Sequence, residues 1–155
     1  MKMILPDGSV QEAEDELRVL RHTASHVLAQ AVKRLYPETK LAIGPAIDDG
    51  FYYDFDREGG FTPEDLEKLE AEMAKIVKEN LPVKPFVLPR NEAIAMMQEK
   101  SEPYKVELIQ DLPEDETISF YQQGDFVDLC AGPHIMYTKG VKAFKLTSIA
   151  GAYWR

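Results

Sequence analysis

The stretch LRVLRHTASHVLAQAVKRLYP, residues 17–37, decides how the rest of the chain is read. Leu17, Leu20, Ala24, Leu28, Ala31 and Leu35 recur at steps of three and four, which on a helical wheel makes one apolar stripe. The acidic stretch Glu12–Glu16 opens this helix at the end that favours negative charge, and Pro37 closes it. With Leu17 set at zero, His22 falls at about 140° and His26 at about 180°. The spacing therefore predicts a histidine pair on the face turned away from the main core.

Upstream, Ile4-Leu5 followed by Asp7-Gly8-Ser9 reads as a short strand and a turn. Downstream, Leu41–Ile47 and Phe51–Phe55 are β-rich runs joined by Asp48-Asp49-Gly50, a hairpin in which Asp-Gly is expected to supply the positive φ. Thr62-Pro63-Glu64-Asp65 combines an N-cap, a proline in the first turn and a capping-box acid, so a second long helix should run to about Asn80. Val83–Leu88 reads as a strand, Asn91–Lys100 and Pro103–Gln110 as helices, and Thr117–Tyr121, Phe126–Leu129 and Ala143–Ile149 as strands. Helices and antiparallel strands mix without βαβ alternation. The expected class is α+β, a two-layer domain with an antiparallel sheet packed against two long helices.

The chain has 155 residues, enough for one domain with a single core. Lys and Arg number 18 against 27 Asp and Glu, a net charge of −9, which excludes a broad basic face for gripping nucleic acid. The segment after Asp128 is different, since residues 129–155 carry Lys139, Lys142, Lys145 and Arg155 and no carboxylate side chain. No apolar run approaches the roughly 20 residues of a membrane span, and the first residues contain no continuous apolar h-region. One cysteine cannot form an internal disulfide, which suits a reducing cytoplasm.

All three histidines and the cysteine fall into two spaced pairs, His22-x-x-x-His26 and Cys130-x-x-x-His134. The first pair stands one helical turn apart; the second brackets a Gly-Pro turn that can bring its members together. Two readings are open. A thiol and three imidazoles are a tetrahedral zinc set, with a position left for water if one member stays off the metal. Without metal, the same groups can hydrogen-bond a polar substrate while a positioned base activates water. The sequence has no H-E-x-x-H, no phosphate-cradling G-x-x-x-x-G-K-S/T loop and no G-x-S-x-G, so ATP chemistry is not expected in this segment.

Five motifs in order carry a resemblance: RHTASH at 21–26, AIGPAIDDGFYYDF at 42–55, YKV at 104–106, DFVDLCAGPH at 125–134 and FKLTSIAGAYWR at 144–155. They resemble the editing domain of bacterial threonyl-tRNA synthetases, in the wider family of threonyl and alanyl synthetase second additional domains. The resemblance covers residues 17–155 and implies an aminoacyl-tRNA deacylase that hydrolyses mischarged seryl-tRNA(Thr). Serine lacks one methyl of threonine, a difference worth roughly 1–3 kcal/mol, so a second sieve is needed. The implied catalytic residues are His22, Tyr53, Lys105, Cys130 and His134, with His26 and Asp128 binding substrate. Lys105 and Tyr53 would position or deprotonate water, and Asp128 would orient a cation or the substrate's α-ammonium.

Alanyl relatives hold zinc at the corresponding four residues and bacterial threonyl domains work without it, so no cofactor is expected to be required. Any zinc would sit on His22, His26, Cys130 and His134. The implied partners are the aminoacylated 3′ end of tRNA(Thr) and the remaining domains of a cytoplasmic, homodimeric synthetase, where ATP would be used in a catalytic core outside this segment. Residues 1–16 would be a leader or the remnant of an N-terminal ubiquitin-like segment, and Ala131 departs from the arginine common in the family. Two alternatives stay open: a free-standing alanyl-type trans-editing hydrolase with zinc, and a non-catalytic zinc- or RNA-binding module.

Overall fold

The computed structural model describes residues 1–151. Ala152, Tyr153, Trp154 and Arg155, the end of the last motif, lie outside the described residues. The elements run β1 (Lys2–Ile4), β2 (Val10–Glu12), α1 (Glu16–Leu35), β3 (Lys40–Leu41), β4 (Ala46–Ile47), β5 (Gly50–Phe51) and β6 (Phe55–Asp56). There follow α2 (Pro63–Glu79), β7 (Val83–Val87), α3 (Arg90–Glu99), α4 (Pro103–Asp111), β8 (Ser119–Gln123), β9 (Phe126–Leu129) and β10 (His134–Ile135). Helices thus combine with antiparallel strands, the expected α+β class, but the described residues hold four α-helices and their strands divide into several small sheets.

Local chemistry sets the helix ends. The Asp15 side chain accepts from the Arg18 amide at the start of α1. At α2, Thr62 and Asp65 form both arms of a capping box, and Asn80 ends the helix in the left-handed region at φ 53°. The two long helices share the larger core: Val27, Leu28 and Ala31 of α1 cluster with Leu69, Met73 and Ile76 of α2. Burying each large aliphatic side chain there contributes about 1.5–3 kcal/mol. A second core joins α3 and α4 to the sheet of β7, β8 and β9, around Ala93, Met97, Ile109, Ile118 and Phe120. Phe86 stacks on its cross-strand partner Phe120 with ring centroids 5.3 Å apart.

The sheet β10-β1-β2 brings the chain's start against its later part, with Ile4 opposite His134 in register. β10 packs on α1, so α1 is covered on both flanks and is buried continuously from Thr23 to Val32. This overturns the wheel reading. Leu17 is 53% exposed while His26 is 3% exposed, because the face opposite the apolar stripe has its own packing partner and is polar where the site lies.

Two further expectations change. The β4–β5 hairpin forms with Ile47 opposite Gly50, so Asp48 and Asp49 make the two-residue loop and Gly50 sits in the ladder without a positive φ. Ala143–Ile149 forms no strand; it is an irregular segment tied to α2, with the Leu146 amide donating to Glu70 at 2.7 Å.

Candidate functional site

Six consecutive residues of α1 each meet a different neighbour. The Arg21 guanidinium donates to the Ile47 and Asp48 carbonyls of the β4–β5 turn. His22 Nδ1 lies 3.2 Å from the Pro133 carbonyl, and Thr23 Oγ1 lies 2.9 Å from His134 Nδ1. Ala24 is buried in the core, Ser25 Oγ donates to the Gly44 carbonyl at 2.7 Å, and His26 Nε2 stands 3.5 Å from Asp128 Oδ2. This turn and a half of helix fastens the hairpin, the Cys130–His134 loop and strand β9 around one point.

At that point Cys130 Sγ is 3.2 Å from Nε2 of His22 and 3.2 Å from Nε2 of His134. Gly132, in the left-handed region at φ +68°, turns the chain so that its own amide donates to Cys130 Sγ. The hydrogen bonds fix the tautomers. A carbonyl only accepts, so His22 carries its proton on Nδ1; Thr23 donates to the Val19 carbonyl, so it accepts from His134 Nδ1. Both Nε2 lone pairs therefore converge on one sulfur. Burial, opposed by the Pro133 carbonyl, lowers the His22 pKa; burial drives His26 to about 3 against the pull of Asp128. Burial and the neighbouring imidazoles hold His134 well below its usual value, and burial pushes the Cys130 thiol up to about 12.

A neutral thiol has one proton for two imidazole lone pairs, so the cluster is one donor short. The ligand atoms of His22, His26, Cys130 and His134 all lie within 4.8 Å of one another, near enough to hold one metal ion. The Nδ1 contacts to Pro133 and Thr23 are the kind of outer hydrogen bonds that orient imidazole ligands. The donor set fits zinc.

His26 links this cluster to a second group. Tyr53 donates to Asp128 Oδ2 at 2.6 Å, and Lys105 Nζ lies 2.9 Å from Asp128 Oδ1, an ion pair outside hydrogen-bond geometry. Burial works to raise the Asp128 pKa, but Lys105, His26 and the Tyr53 hydroxyl outweigh it and the carboxyl stays below its usual range. Burial and the Asp128 charge hold Tyr53 well above the usual phenol value, so it remains a protonated donor. The cation beside Asp128 is Lys105 itself.

All seven residues singled out from the sequence thus come together. Sequence reasoning missed Thr23, Ser25 and Gly44, whose signal was weak: two hydroxyl residues on a helix between two histidines. It also missed a small pocket of about 140 Å³ beside His22, walled by Pro45 and Ala46 on one side and Gly132 and Pro133 on the other. A larger cavity, about 460 Å³, lies elsewhere, between the Phe51–Phe55 stretch and residues 145–151, and among its described lining touches the site only through Tyr53. Of the basic residues after Asp128, Lys145 is engaged with Glu70 of α2, and Ala131 is exposed.

Known proteins resemble the chain over most of its length. Residues 118–152, which hold Asp128, Cys130 and His134, match the family described as threonyl and alanyl tRNA synthetase second additional domain. The chain is 70% identical over 142 residues to a threonine–tRNA ligase of Clostridium tetani, covering 92% of this chain and 22% of that protein. It is 73% identical over 135 residues to that of Acetivibrio thermocellus, covering 87% and 21%, and 70% identical over 145 residues to that of Clostridium novyi, covering 94% and 22%. The chain therefore spans little more than a fifth of the length of these relatives. No helix among the described residues is long and apolar enough to cross a membrane. Motifs, site and relatives together fit this chain to the threonyl and alanyl tRNA synthetase second additional domain family.

Proposed function

We propose that the chain is an aminoacyl-tRNA deacylase that hydrolyses seryl-tRNA(Thr), the post-transfer editing unit of a threonine–tRNA ligase. The observation that carries this reading is the half-exposed edge of the His/Cys cluster, where His22 opens onto the 140 Å³ pocket. That volume lies below the ~300–1,000 Å³ of pockets that enclose a drug-sized ligand. It suits a seryl group, with the terminal adenosine resting outside, and tight walls would be felt by threonine's extra methyl.

In the reaction, water's oxygen bonds to the ester carbonyl carbon and the bond to the ribose oxygen breaks. A proton from water passes to that oxygen, leaving serine and a free ribose hydroxyl. His22 and Cys130, the accessible members, meet the substrate; His26 and His134 hold them from behind. The buried Lys105–Asp128–Tyr53 group, with the phenol proton held by Asp128, fixes a cation behind the cluster whose field favours the developing oxyanion. The reading requires no metal. Where zinc is bound, His22, His26, Cys130 and His134 would hold it, and it would supply Lewis acidity there.

The partners on this reading are the aminoacylated 3′ end of tRNA(Thr) and the other domains of a homodimeric cytoplasmic synthetase. The donor set favours one second reading, a zinc-dependent trans-editing hydrolase acting on seryl-tRNA(Ala). The test is deacylation by this chain of seryl-tRNA(Thr), threonyl-tRNA(Thr) and seryl-tRNA(Ala), with and without chelator, beside His22→Ala and Lys105→Ala variants checked by circular dichroism. Hydrolysis of the first substrate alone, insensitive to chelator and lost in both folded variants, is expected. Survival in both variants overturns the assigned roles, and preference for seryl-tRNA(Ala) with loss under chelator selects the second reading.

A further inference from the structure

We propose that Arg18 is the phosphate-binding residue of this site, holding the last phosphodiester of an RNA 3′ end at the mouth of the His22 pocket. The inference rests on the deacylase reading and adds the residue that would anchor its substrate.

Arg18 stands one helical turn before His22, on the same face of α1, and both side chains line the 140 Å³ pocket. Its guanidinium is exposed and, among the described residues, has no ion pair or hydrogen bond. Every other described arginine is engaged. Arg21 caps the β4–β5 turn, and Arg34 forks onto Glu79 and reaches Glu72. Arg57 bonds Asp65 and the Gly60 carbonyl, and Arg90 gathers the carbonyls of Ile109, Leu112 and Pro113. The unengaged arginine is the one on the pocket rim.

Size and charge say what it would meet there. A 140 Å³ pocket admits an aminoacyl group and leaves the nucleotide that carries it outside, so the 5′ phosphate of that nucleotide must cross the rim. A chain of net charge −9 repels RNA in general, and a single exposed guanidinium beside the pocket makes the rim the favourable place for a phosphate. The flat guanidinium fork matches two phosphate oxygens, a geometry that a lysine ammonium supplies only as a point charge.

The experiment measures binding of a 5′-labelled RNA tetranucleotide ending in CCA by fluorescence anisotropy across a salt series. It compares the wild-type chain with Arg18→Ala, Arg18→Lys and, as a distant exposed control, Lys68→Ala. Arg18→Ala should weaken binding about tenfold and flatten the log–log salt slope by about 0.7, the value for one single-strand phosphate contact. Arg18→Lys should keep the slope and Lys68→Ala should match wild type. Equal slopes in wild type and Arg18→Ala, no binding by wild type, or displacement by inorganic phosphate at matched ionic strength as effective as by unlabelled RNA would each overturn the proposal. Deacylation of seryl-tRNA(Thr) followed in parallel separates the two claims. Arg18→Ala should raise KM and leave kcat unchanged. Hydrolysis with an Arg18-independent salt slope removes only Arg18, whereas an Arg18-dependent slope without hydrolysis removes only the deacylase reading.

Discussion

Thr23 Oγ1 lies 2.9 Å from His134 Nδ1 and also accepts the Ile135 amide at 3.1 Å, so one hydroxyl of α1 satisfies two N–H groups of β10. Thr23 is fully buried, and water cannot take its place. Thr23→Val keeps the shape and removes the acceptor, leaving two buried donors unpaired at about 1–3 kcal/mol each. The expected result is a lower urea midpoint with unchanged m-value, and loss of the Nδ1–H tautomer of His134 in long-range ¹H–¹⁵N spectra. Thr23→Ser should keep the tautomer.

The Lys105–Asp128 pair is almost fully buried on both sides, and the two charges neutralise each other inside the protein. Replacing one partner strands the other charge. Lys105→Met or Asp128→Asn alone should cost about 3–5 kcal/mol, and the double variant should cost less than the sum of the singles. Additive losses in a double-mutant cycle of denaturation would mean the ion pair contributes no coupling. Asp128→Asn should also lose more than Lys105→Met, because Tyr53 and His26 use the same carboxylate.

Asp65 joins three elements: it accepts from the Tyr36 hydroxyl at 2.7 Å, the Thr62 amide at 2.8 Å and Arg57 at 3.1 Å. The Tyr36 bond first, then the Thr62 amide, lowers its pKa to about 2 from an ordinary 3.8. The folded value lies below the unfolded one, so this contribution is fully present above the unfolded pKa and is lost as pH falls through the folded value. Between about pH 5 and pH 2 the wild-type chain should lose stability faster than Asp65→Asn, in urea titrations at each pH. Thr62→Ala, which removes the other arm of the capping box, should cost about 1 kcal/mol.

Periodicity in α1 identified a helix and its ends but not its environment. A stripe of leucines reports one buried face; a second face packed with His22, Thr23, Ser25 and His26 looks on a wheel like a solvated one, because polarity signals water and buried polar contact alike. The strong local signals, such as Thr62-Pro63 and the β-rich runs Thr117–Tyr121 and Phe126–Leu129, gave element positions that the structure repeats within a few residues. Pairing of β1 with β10 spans more than 120 residues and depends on tertiary packing, which no local pattern encodes. Likewise Ala143–Ile149 has strand-like composition, but it meets the side of α2, where the Glu70 carboxylate takes the Leu146 amide that a strand partner would otherwise take. The paired histidines and cysteine were legible as a site because their types are scarce and their spacings matched; Arg18 and Gly44 carry no such mark.

Gly44 shows how closely that unmarked geometry is set. Its carbonyl is held by Ser25 of α1, and a β-carbon built on it would run into the Tyr53 ring. Its φ lies outside the left-handed region, so backbone conformation does not demand glycine; the close approach of the ring does. Tyr53 cannot step aside freely, since its hydroxyl is bonded to Asp128 and its ring stacks on Phe55 at 4.8 Å. Gly44→Ala must push either the helix anchor or the ring, at a cost of about 1–3 kcal/mol. If the ring gives way, the Tyr53–Asp128 bond breaks and Asp128 keeps only Lys105 and His26. Combining Gly44→Ala with Tyr53→Leu, which vacates the ring edge, should recover most of the overpacking penalty. A Gly44→Ala chain as stable as wild type, with the Tyr53 hydroxyl still bonded in its crystal structure, would contradict this packing.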